Sequence, residues 1–166
     1  MDNKSIDNTK HIKKVYTEKT INLLKIYIGV AIISGVSYLI GLLYGLFDFG
    51  IIFEIISVIC VYISIKNLSN NNLGIGKKYI IIAMIPIGWL IIYDFIDLLA
   101  NISTVLETVT EYYTSIDWVF YCIEPYIYDV TLITNFVLLI FAYFSLCKAD
   151  GSKKSDDFTE NFYDEL

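Results

Sequence analysis

Asp94 and Asp97 stand three positions apart in the stretch WLIIYDFIDLL, and Glu54 interrupts a second apolar run, GIIFEIISVIC. Carboxylates among such neighbours have few chemical options. They meet water, a proton, a cation or one another, because a bare negative charge in hydrocarbon is costly. Grouped acids hold protons more tightly and attract metal or organic cations, and hard cations accept oxygen ligands readily. Glu54, Asp94 and Asp97 are therefore the candidate ion- or partner-binding residues, with Asp48, Glu124 and Asp129 bordering the same level of the chain.

The elements that must position these acids are long and greasy. Of the 166 residues 56% are hydrophobic, and the mean hydropathy is +0.60, more than a soluble domain of this size carries. The apolar residues fall in four blocks, 21–46, 51–65, 79–100 and 130–147, each near the roughly 20 residues that cross a hydrocarbon layer. The blocks are too long for single strands and lack in-out alternation. The fold class predicted is all-α: an integral membrane four-helix bundle, residues 21–147, with a polar N-terminal segment at 1–20 and an acidic, flexible tail at 148–166. The first block is longer than a signal-peptide core and follows about 20 polar residues, so it is expected to remain attached.

Lysine placement predicts the orientation. All twelve lysines lie before or at the start of the first block (Lys4, Lys10, Lys13, Lys14, Lys19, Lys25), around the second connection (Lys66, Lys77, Lys78) or after the fourth block (Lys148, Lys153, Lys154), and arginine is absent. Cytoplasmic segments retain positive charge, so both termini are expected in the cytoplasm of a multi-pass cell-membrane protein. Counted from Lys78 at about 1.5 Å per residue, Asp94 then sits roughly 24 Å and Asp97 roughly 28 Å up, near the outer boundary of a ~30 Å core. Three positions apart on a helix, the two acids look the same way. The expectation is a crown of carboxylates at the outer end of the bundle.

Small and polar residues recur in stripes within the blocks, as helix contacts in lipid require. Ser34, Ser37, Gly41 and Gly45 share one side of the first, with a G-x-x-x-G in GLLYG; Glu54, Ser57, Val61 and Ser64 share one side of the second; Thr131, Thr134, Asn135, Ala142 and Ser145 share one side of the fourth. Asp94, Asp97 and Asn101 supply the corresponding side of the third. Ser37, Gly41, Gly45, Thr131 and Asn135 are the leading helix-packing candidates. Pro86 removes a backbone donor and predicts a kink. GIGKK at 74–78 reads as a turn into the third helix. Between the third and fourth blocks, apolar positions from Ile102 through Val105, Leu106, Val109, Tyr113 and Ile116 predict an extracytoplasmic amphipathic helix at about 102–117. An aromatic re-entry near Pro125 follows it.

Several function classes lose support at this level. A net charge of −6 without a basic patch beyond the membrane-flanking lysines argues against nucleic acid. Cys60, Cys122 and Cys147 fall at three different depths and form no C-x-x-C pair, so neither a disulfide framework nor thiol redox chemistry is expected. The sole histidine, His11, is in the polar N-terminal segment, and no nucleophile–base, phosphate-cradling or metal-ligand constellation is present. Cofactors are not expected. The lipid bilayer is the first partner, and a membrane protein or a second copy of the chain is the next. The expectation is a non-enzymatic membrane protein that binds another membrane component, as an accessory subunit, sensor or protective protein does. The alternative is a small oligomeric cation or proton channel or transporter with an acidic outer mouth.

Overall fold

The computed structural model describes residues 3–43, 50–100 and 124–163. They form four helices: α1 (Asn3–Leu43), α2 (Gly50–Ser69), α3 (Leu73–Ala100) and α4 (Glu124–Tyr163). Each contains a stretch long and apolar enough to cross a membrane: His11–Leu39, Gly50–Ser69, Leu73–Asp97 and Ile127–Ala149. The amphipathic segment expected at 102–117, Gly45, Asp48 and Cys122 lie outside the described residues.

Cross-helix bonds fix the direction of the bundle. Ser57 bonds the carbonyl of Ala83 and Ser64 that of Gly76, so seven steps forward on α2 match seven steps back on α3. α1 runs antiparallel to α2 in the same sense, with Tyr27 against Ser57 and Ser34 against Glu54. α1 packs most extensively on α4 and α2 on α3, while α3–α4 and α1–α2 close the ring. One end of the bundle therefore carries both described chain ends and the α2–α3 turn. The other carries Gly50, Asp97 and Ile127.

The α2–α3 turn is built by three asparagines. Asn71 adopts φ 61°, and the N–H groups of Asn71 and Asn72 bond the carbonyls of Leu68 and Asn67 at 3.0 and 2.9 Å. This is the paired-bond helix stop that needs a left-handed residue just past the last turn, a conformation asparagine tolerates better than most residues. α3 then begins at Leu73, so GIGKK is helix and not the turn expected from its glycines. A side chain at position 76 would press into Leu68, so Gly76 lets the two helices meet closely.

The other helices also overrun their hydropathy blocks. α2 runs to Ser69 rather than 65. α1 begins at Asn3 within the polar segment, and α4 continues to Tyr163 where a flexible tail was expected from 148. Hydropathy marks where lipid touches a helix, and a helix needs no lipid to continue. α3 likewise stays helical through Pro86.

The core is apolar along its length: Leu24, Tyr27, Val61, Ile80, Ile87, Leu132, Leu139 and Leu146 are buried. Outside, Ile32, Ile55, Ile85, Ile92, Val130 and Phe141 are exposed, which suits a surface solvated by acyl chains. At the end carrying the turn, the Lys77 ammonium lies 5.3 Å from the ring centroid of Tyr143, tying α3 to α4 by cation–π attraction.

Candidate functional site

On α1, Ser34 and Ser37 are buried, and Gly41 lies in the last turns of the helix. On α2, Glu54, Ser57, Val61 and Ser64 are all buried. On α4, Thr131, Asn135, Ala142 and Ser145 are buried, but Thr134 is exposed. Its hydroxyl bonds the carbonyl of Val130 within its own helix at 2.7 Å, so it needs no neighbouring helix to satisfy it. α3 departs most from expectation. Its packed face is Gly76, Ile80, Ala83, Ile87 and Leu90, an apolar set that a search for polar stripes passes over.

The three candidate acids are not brought together as one crown. Glu54 is 2% exposed and faces α1, where its Oε2 accepts a hydrogen bond from the Ser34 hydroxyl at 2.9 Å. Its Oε1 has no hydrogen-bond partner among the described residues. Asp94 is half-buried on α3 and joins Asp129 of α4 in lining an open groove of about 140 Å³, whose other walls are Ile91, Phe95, Leu132 and Ile133. Asp97 is exposed. Asp94 and Asp97 share a helix side, but near the end of α3 that side meets packed neighbours at one residue and open surface at the next.

Polar seams run inward from Glu54. Tyr27 and Ser57 hydroxyls meet at 2.6 Å between α1 and α2, and Ser57 donates to the Ala83 carbonyl of α3 at 2.9 Å. Ser145 of α4 donates to the Tyr16 carbonyl of α1 at 3.3 Å. Asn135 is fully buried, and neither its Oδ1 nor its Nδ2 has a partner among the described residues. Cys60 and Cys147 are free thiols, buried and half-buried respectively. Among the described residues no group of three or more His, Cys, Asp or Glu gathers in a way that could hold a metal ion.

A second feature lies on the outer face of α1 and was not singled out from sequence. Asn22, Lys25 and Gly29 are exposed, at spacings of three and four that place them on one side of the helix. Nothing lies within 4 Å of where a Cβ at Gly29 would stand. Lys25 is nine residues, or about 13 Å, along α1 from Tyr16. Tyr16 is level with Ser145, and Tyr27, two residues past Lys25, is level with Ser57 and Ala83, five residues past Lys78. The signal is present in the sequence as a polar–basic–small repeat, but Lys25 reads there as one more flanking lysine, and the packing adds that all three residues face outward.

Fold and surface together define a multi-pass α-helical protein of the cell membrane, a four-helix bundle with an apolar core crossed by a few hydroxyl bonds. No protein-family model, curated protein or solved structure matches the chain.

Proposed function

We propose that this is a non-enzymatic membrane protein that binds another membrane protein through the outer face of α1. The observation that carries this reading is the Asn22, Lys25 and Gly29 stripe, exposed within a membrane-spanning stretch. An ammonium and an amide turned toward acyl chains cost free energy unless they meet a partner, and a glycine beside them lets a second helix approach closely. The partner such a face suits is a transmembrane helix carrying a carboxylate or amide at the depth of Lys25. A second copy presenting the same face would oppose ammonium with ammonium. The filled apolar axis supports binding over passage through a single bundle, since Leu24, Ile80, Ile87, Leu139 and Leu146 are buried along it.

The orientation proposed places both termini in the cytoplasm. Lys13, Lys14, Lys66, Lys77, Lys78 and Lys148 gather at the end holding the described chain ends, and Glu54, Asp94, Asp97 and Asp129 at the other. Retention of lysines on the cytoplasmic side supports that assignment.

Photo-crosslinking tests the binding reading. A photoreactive residue at Asn22 or Gly29 is expected to capture one protein in stoichiometric yield in intact membranes, and Lys25→Ala to lower that yield several-fold. Lipid adducts alone, with Lys25 reaching the headgroups along its own stem, would overturn it.

A further inference from the structure

Glu54 stands four residues, about 6 Å, from the start of α2, inside a membrane-spanning stretch. It is 2% exposed, with one carboxyl oxygen bonded to Ser34 and the other without a partner among the described residues. Ser37, one turn along α1 from Ser34, is also buried. Among the described residues, the titratable groups on the surrounding faces are Tyr27 and Tyr38 on α1, Cys60 on α2, Asp94 on α3, and Tyr128 and Asp129 on α4. None of them carries positive charge. No lysine is buried among the residues whose exposure is described.

This is an electroneutrality problem with a short list of solutions. Removing an unpaired carboxylate from water costs several kcal/mol even after relaxation, and one hydroxyl donor offsets only part of that. The compensating charge must therefore come from outside the protein, and the nearby end of the bundle is the short route to water. We propose that Glu54 and Ser34 form an intramembrane site for one exchangeable positive charge, a proton or an alkali-metal ion. A proton adds to the carboxylate to give the neutral acid; an alkali-metal ion is held by the carboxylate and the serine hydroxyl oxygen. This goes beyond binding at the outer face of α1, which involves none of these residues.

The full chain in lipid nanodiscs provides the test. A hydrophobic carbodiimide attacks a protonated carboxyl, and mass spectrometry reads the modified fraction at Glu54 across pH in sodium or choline buffer. Modification that falls reversibly as pH rises, equally in both salts, identifies the proton as the exchangeable charge. Suppression by sodium but not choline at constant pH identifies the metal ion. Glu54→Gln abolishes the adduct. Ser34→Ala removes the donor that stabilises the carboxylate and is expected to raise the initial rate of modification at fixed pH about tenfold, the size of one charge-assisted hydrogen bond. An unchanged rate in Ser34→Ala removes Ser34 from the site. Modification identical at every pH and in both salts overturns the proposal, as does none at any pH when the unfolded chain reacts. Neither result bears on crosslinking at Asn22, so the two readings fail separately.

Discussion

Tyr27 donates its hydroxyl to Ser57 across 2.6 Å, because the one proton Ser57 owns is given to the Ala83 carbonyl at 2.9 Å. Three helices are thereby joined by two consecutive bonds. The tyrosine is fully buried. The direction of donation ranks the two hydroxyls: Ser57 is the hub, and Tyr27 is attached to it.

Removing the hub should cost more than removing the attachment. Ser57→Ala leaves a buried phenol without an acceptor, whereas Tyr27→Phe leaves Ser57 still bonded to Ala83. Hydrogen bonds inside membranes contribute about 0.6 kcal/mol on average and up to about 1.7. Tyr27→Phe is expected near the lower figure and Ser57→Ala near or above the upper one, measured by reversible unfolding in mixed micelles. Equal losses would contradict the direction of donation.

Asn135 gives the opposite sign. Its amide is fully buried without a partner for either atom among the described residues, and Leu has the same branched four-atom skeleton without polar atoms. Asn135→Leu is expected to raise stability by about 1–3 kcal/mol, the cost of an unsatisfied buried group. A loss of stability would show that the amide is bonded in the membrane.

Burial separates two aliphatic residues that hydropathy treats alike. Leu139 is fully buried and Ile85 is 66% exposed. Truncating Leu139 to Ala should cost about 2–5 kcal/mol through the cavity it leaves. Ile85→Ala should change stability by no more than about 0.5 kcal/mol. The same unfolding assay decides it, and similar losses at both sites would refute the inward and outward assignment.

The turn after α2 makes a backbone prediction. Asn71 occupies a left-handed conformation that β-branched residues resist. Asn71→Val is expected to lower stability by roughly 1–2 kcal/mol, and Asn71→Gly to leave it equal or slightly higher. A harmless valine would mean that the turn does not close in this way.

Orientation is checked in cells with a cysteine-free chain carrying one new thiol at Asn72, in the α2–α3 turn. An impermeant maleimide should label it only after the membrane is opened. Labelling in intact cells would reverse the proposed topology and with it the cytoplasmic placement of both termini.

The sequence alone determined the number of spans and the helical class, because a bilayer leaves so few solutions for a backbone that cannot bond to water. It also located most of the seams: Ser34, Ser37, Glu54, Ser57, Ser64, Thr131, Asn135 and Ser145 lie on stripes, and all are buried. Helix ends were less legible, since Leu73 starts α3 only because Asn71 closes α2, and that bond pattern has no hydropathy signature. Tertiary structure decided which acids belong together. Glu54 turns to Ser34, Asp94 shares a groove with Asp129, and Asp97 faces outward; level along the axis is a property of one helix, while direction around it is set by the neighbours. The exposed Lys25 rests on the same distinction. Its position in the chain was plain, but its outward aim exists only once α1 is packed against α2 and α4.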